Sequence, residues 1–113
     1  MRLYHNPHCS KSRGALELLQ ARGFAPVVVR YLEQPPSASE LRELLRMLGM
    51  RARELLRSGE DEYGQLGLGD ASLEEEALVE AMVRHPRLIE RPILVHDGKA
   101  VVGRPVERIL EIL

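Results

Sequence analysis

Arg2-Leu3-Tyr4-His5-Asn6-Pro7-His8-Cys9-Ser10-Lys11-Ser12-Arg13 carries a short apolar stretch into a turn and then into the start of a helix. Arg2 to His5 reads as a strand. Ser10 to Arg22 reads as a helix, because Ala15, Leu18, Leu19 and Arg22 recur at helical spacing before Gly23 supplies a stop. A turn that ends at a helix N-terminus directs unbonded N–H groups and the positive end of the helix dipole at whatever occupies it. Here the occupant is Cys9, the only cysteine of the chain. A free thiol is only about 3% ionised at pH 7, and a thiol whose pKa is lowered by such surroundings becomes a nucleophile. The alternative is a cysteine buried as a small hydrophobe. Its neighbours Pro7, His8, Ser10 and Lys11 suit a loop better than a core.

Working outward, Pro26 through Tyr31 contains Val27, Val28 and Val29, a β-branched run that predicts a strand covered on both faces. A βαβ unit with parallel strands results. Ser37-x-x-Glu40 is a capping box, and Leu41, Leu44, Leu45 and Leu48 mark the apolar face of a helix that Gly49 closes. A shorter helix is expected from Ala52 to Leu56 or Arg57, and Ser58 to Asp70 reads as loop with at most one turn around Tyr63. Ser72-x-x-Glu75 is expected to open another helix, bearing Leu73, Ala77, Leu78 and Met82, that ends at His85-Pro86.

Pro92 to His96 and Lys99 to Gly103 are strands joined by the two-residue turn Asp97-Gly98. Pro105 is placed as the first residue of a final helix with Val106, Ile109, Ile112 and Leu113. The order β-α-β, helical insert, β-β-α is that of an α/β protein with a thioredoxin-like mixed four-stranded sheet. The expectation is a single domain over residues 1–113, with the insert at about 37–84. In such folds a proline just before the hairpin strand is often cis and packs beside the cysteine. Arg91-Pro92 stands at that place, and a trans Pro92 capping an edge strand is the alternative.

A chain of 113 residues is long enough for one core without disulfides or metals to staple it. The formal net charge of −1, with mixed and interspersed charges, argues against a strongly basic nucleic-acid binder. No apolar run is long enough to span a membrane. One unpaired cysteine and no signal-type hydrophobic segment at the N-terminus make a reducing cytoplasm the expected compartment.

The chain resembles the glutaredoxin-linked arsenate reductase family, a thioredoxin-like group related to Spx-type proteins. The resemblance is carried by Tyr4-His5-Asn6-Pro7, Cys9-x-x-Ser12-Arg13, Tyr31-Leu32-Glu33-x-Pro35-Pro36, Leu55-Leu56-Arg57, His85-Pro86, Arg91-Pro92-Ile93 and Gly103-Arg104-Pro105, in order over nearly the whole length. It implies that Cys9 attacks the arsenic of arsenate, with Arg57, Arg91 and Arg104 gathered around the oxyanion. Arginine suits this role because its planar, permanently charged fork can hold two oxygens at once. Ser10, Lys11 and Ser12, with their backbone N–H groups, would line the anion loop.

Arg57 at a helix C-terminus would meet the dipole in any case, whereas Arg91 and Arg104 each precede proline, which keeps their backbone extended. His5 either tunes the thiol or is a structural histidine at a strand end. His8 adjoins Cys9 where the family commonly carries a smaller or different residue, which bears on substrate preference. His5, His8 and Cys9 lack a second cysteine or a spaced carboxylate pair, so no metal site is expected.

Arsenate reduction takes two electrons, and a single thiol cannot supply them by closing an internal disulfide. Outside thiols are therefore required. The resemblance implies a Cys9 thiol-arsenate adduct, attack by glutathione or another low-molecular-weight thiol, and resolution by glutaredoxin, with no bound cofactor. Two other classes stay open. One is a general thiol oxidoreductase that forms mixed disulfides through Cys9 without an arsenate site. The other is an Spx-like transcription-regulating binding module, although Ser12 stands where such regulators usually carry a second cysteine.

Overall fold

Leu3 and Tyr4 are buried in the first strand, β1 (Arg2–Tyr4), which is central to the sheet. The structure is a computed structural model that describes residues 1–113. β1 pairs in parallel with β2 (Val27–Val29), placing Leu3 opposite Val28, and antiparallel with β3 (Ile93–His96), placing Leu3 opposite Leu94. β3 turns back into β4 (Lys99–Val102). The turn uses Asp97 at φ 51° and Gly98 at φ 74°, the pair of positive values that a two-residue hairpin with right-handed strand twist demands. The order β2-β1-β3-β4 is the mixed four-stranded, thioredoxin-like sheet that the element order predicts.

The chain divides into two compact units, Met1–Gln34 with Arg91–Leu113, and Pro35–Glu90. In the first, Leu3, Ala15, Leu19, Leu94, Val101 and Ile109 form one buried cluster joining the sheet to α1 (Ser10–Ala21) and to a C-terminal 3-10 helix (Val106–Ile112). Burying each large apolar side chain there contributes roughly 1.5–3 kcal/mol.

Two expectations for this unit are corrected. Val27 and Val28 are not covered on both faces: they are 63% and 38% exposed, because β2 is the edge strand. A β-branched run reports fit to a pleated backbone, and burial is decided by what lies alongside. The final helix is 3-10 rather than α, and Pro105 is its N-cap instead of its first residue. Val106, Ile109 and Ile112 are spaced by three, the period at which side chains align on a 3-10 turn.

The second unit is helical. α2 (Ala38–Leu48) begins at Ser37, whose hydroxyl accepts the Glu40 N–H at 3.1 Å, and ends at Gly49 in the left-handed region. α3 (Ala52–Leu55) and α4 (Asp61–Gln65) are short, and α5 (Glu75–Arg84) buries Leu78, Val79 and Met82. Ser72 does not cap α5, whose N-cap is Glu74. Its hydroxyl and N–H both donate to the Asp70 carboxylate, at 2.7 and 2.9 Å, while Glu75 accepts the Ala52 N–H that opens α3. Both members of the expected capping box are engaged elsewhere. A 3-10 turn (Pro86–Leu88) follows α5, and Leu56 bridges Ile89. No helix is long and apolar enough to cross a membrane.

Candidate active site

The turn after β1 is built from backbone bonds. The His5 N–H donates to the Val29 carbonyl at 2.8 Å and the Cys9 N–H to the Asn6 carbonyl at 3.0 Å. The Cys9 carbonyl then accepts the Arg13 N–H at 3.0 Å, so Cys9 is the N-cap of α1, extended at φ −97° and ψ 123°. The half-buried sulfur makes no capping hydrogen bond, but the N–H groups of Lys11 and Ser12 lie where they favour its ionised form.

Two arginines reach that sulfur from the far end of the chain. Arg104 donates through Nη2 to Cys9 Sγ at 3.5 Å and through Nε to the Arg91 carbonyl at 2.7 Å. Arg91 also hydrogen-bonds the sulfur. Partial burial opposes ionisation of the thiol. The N–H groups of Ser12 and Lys11 and the Arg91 guanidinium outweigh it, and the thiol titrates below its ordinary value.

Arg91-Pro92 is cis, as its position predicts, and Pro92 is buried. Arg104-Pro105 is cis as well, which the sequence did not announce. Gly103, between the two segments, donates its N–H to the Pro92 carbonyl at 2.9 Å. A Cβ on Gly103 would lie 3.0 Å from Pro92 Cγ and 3.1 Å from Ile109 Cγ2, so glycine lets these parts approach.

Ser10 and Lys11 have exposed side chains at the start of α1. Ser12 differs from them, because its side chain is fully buried and its hydroxyl is turned inward. It accepts the Asn6 N–H at 2.9 Å and lies 2.8 Å from His5 Nδ1, so only the Ser12 N–H serves the loop. Burial is the main cause that lowers the His5 pKa, with the Arg30 and Arg13 charges adding to it against the opposing Ser12 hydrogen bond. His5 is therefore neutral near pH 7, and it orients Ser12 without supplying charge to the thiol. Asn6, a residue missed in the sequence, is buried in the same network. No three His, Cys, Asp or Glu side chains converge to hold a metal.

Arg57 belongs to the second unit. It is not at a helix end: α3 stops at Leu55, Leu56 turns extended, and the Arg57 N–H donates to the Leu88 carbonyl at 2.7 Å. Its Nε lies 3.8 Å from a Glu60 oxygen and 3.7 Å from a Glu90 oxygen, and its Nη1 is buried without a hydrogen-bond partner.

The ArsC family model matches residues 4–112. The chain belongs to the ArsC family. It is 57% identical over 114 residues to the uncharacterized protein YfgD of Escherichia coli strain K12, covering all of this chain and 96% of that one. It is 48% identical to an arsenate reductase of Neisseria meningitidis, covering all of this chain and 97% of that one. The structure of an arsenate reductase from Vibrio cholerae superposes with a TM-score of 0.97 at 51% identity, covering 100% of this chain and 98% of that one. In this ArsC-family member Arg104 meets the lone cysteine within the first compact unit, which also holds Arg91 and both cis prolines.

Proposed function

We propose that this ArsC-family protein reduces arsenate to arsenite. The observation that carries the reading is the Cys9 thiol at the start of α1, titrating below its ordinary value and hydrogen-bonded by Arg104. The names of the Neisseria and Vibrio relatives point the same way. A thiolate fixed beside arginines is suited to a tetrahedral oxyanion, since the guanidinium groups hold the oxygens while sulfur attacks the central atom.

In this reading an S–As bond forms at Cys9 and an As–O bond breaks, the oxygen leaving as water once protonated. Glutathione, or another low-molecular-weight thiol, then attacks the adduct, and glutaredoxin resolves the intermediate before arsenite leaves. One arsenate and two outside thiols become one arsenite, one disulfide and one water, and Cys9 is regenerated. Arg91, Arg104 and the N–H groups of Lys11 and Ser12 bind the anion, and Arg57 is assigned to it by resemblance. A second reading, a general thiol oxidoreductase, draws support from Arg57, which two carboxylates already flank.

The deciding assay is arsenate-dependent NADPH oxidation coupled through glutathione reductase, glutathione and glutaredoxin. Wild type is expected to turn over and Cys9→Ser to fall to background. A wild type that reduces disulfide substrates but consumes no NADPH with arsenate, under two different thiol donors, would establish the second reading instead.

A further inference from the structure

Three hydrogen bonds converge on Asn6. Its side-chain Oδ1 accepts the His8 N–H at 3.0 Å, its carbonyl accepts the Cys9 N–H at 3.0 Å, and its own N–H donates to Ser12 Oγ at 2.9 Å. Asn6 is buried, in a loop whose next residues, Pro7 and His8, are partly or fully exposed. All three partners lie within residues 8–12, on the path from the turn to the first turn of α1. Asn6 thus spans the gap between the end of β1 and the helix that Cys9 caps, and none of these three bonds involves the sulfur.

We propose that Asn6 is a positioning residue for Cys9, setting the turn that holds the sulfur against the start of α1 and within reach of Arg91 and Arg104. This rests on the reading of Cys9 as the nucleophile. An asparagine oxygen that accepts the N–H two residues on closes an Asx turn, fixing the backbone that a loop of this length otherwise leaves free. The Lys11 and Ser12 N–H groups favour the thiolate from positions that depend on the extended N-cap conformation of Cys9. Without the Asn6 oxygen, residues 6–9 sample other turns, and the sulfur spends part of its time away from the groups that ionise it.

The test is the pH profile of Cys9 alkylation by iodoacetamide, a reaction that needs no arsenate. Asn6→Ala is expected to move the midpoint up by about one pH unit, with roughly 10-fold less thiolate at pH values well below both midpoints. In the coupled assay kcat should fall by about the same factor, with KM for arsenate within about twofold. Asn6→Ser keeps a hydroxyl that makes the same bond more weakly, and its midpoint should fall between those of wild type and Asn6→Ala. Hydrogen exchange on the wild type reads the bond without any variant, and the His8 amide should be protected. An unchanged midpoint in Asn6→Ala, a serine variant no better than alanine, or a His8 amide exchanging at the rate of free peptide would each overturn the proposal. Loss of arsenate turnover in wild type would sink the reductase reading and leave these measurements standing.

Discussion

The arginines at residues 91 and 104 and the arginine at residue 57 come from the same resemblance, yet they belong to different compact units. Arg104 donates to the Cys9 sulfur and to the Arg91 carbonyl, so its charge is directed at an ionisable thiol. Arg57 sits between the carboxylates of Glu60 and Glu90, and Glu60 is shared with Arg87 at 3.4 Å. A guanidinium beside a thiol favours the thiolate, whereas one already matched by carboxylates has less attraction left for a further anion. The same side chain therefore does different work in the two units.

The sharpest way to test that difference is to remove each arginine in turn. Arg104→Ala is expected to lower kcat/KM for arsenate roughly 10- to 100-fold, matching about 1.5–3 kcal/mol for a hydrogen bond to a charged group. Its alkylation midpoint should rise. Arg57→Ala should leave the alkylation midpoint where it is and act on arsenate KM alone. An equal rise of the midpoint in both variants would erase the distinction.

The next effect concerns how the first unit holds its arginines in place. Gly103→Ala puts a methyl group 3.0 Å from Pro92 Cγ and 3.1 Å from Ile109 Cγ2, neither of which is the free end of a flexible chain. Overpacking of this kind costs about 1–3 kcal/mol, to be read from urea denaturation. Because Arg104 follows directly, loss of activity should accompany loss of stability. A variant as stable as wild type would show that the Pro92 segment has room to move.

The smallest effects separate the two units by pH. Cys9 and His5 both titrate below their ordinary values when folded, so in the window beneath each unfolded value the unfolded chain binds more protons. Stability therefore rises with pH through both windows, and falls again as pH drops toward the folded values. The windows open downward from about 8.5 for the thiol and about 6.5 for the histidine. Cys9→Ser should flatten only the upper one and His5→Gln only the lower. In the second unit the Asp70 carboxyl is lowered first by the Ser72 N–H and then by its hydroxyl. Its contribution is lost as the pH falls through and below the ordinary carboxylate range, and Ser72→Ala, which keeps the N–H, should remove only the part that the hydroxyl supplies. Stability profiles of the three variants, followed by circular dichroism, check the assignment.

Much of the first unit was legible because its signals are local. The turn that ends in Cys9, the stop at Gly23 and the Asp97-Gly98 hairpin each depend on a few adjacent residues, and each stands where the pattern put it. Ser37 also behaves as its motif says. Ser72 carries a similar motif and fails, because Asp70 is nearer to its hydroxyl and Glu75 is drawn to the start of α3. The Ser12 hydroxyl is decided in the same way: spacing puts a serine in the first turn of a helix but does not say whether its hydroxyl turns outward or toward His5.

The sequence by itself determined the order of strands and helices, the seat of Cys9 at the head of α1 and the restricted backbone of the two Arg-Pro steps. These follow from periodicity, capping and proline geometry, which act over a few residues. Only the tertiary structure decided that β2 is an exposed edge, that Arg104 meets a sulfur 95 residues earlier in the chain, and that Arg57 is met by two carboxylates. Such pairings depend on which strand lies beside which and on which segment passes over a helix end. A guanidinium or a hydroxyl acquires its chemical role from those neighbours.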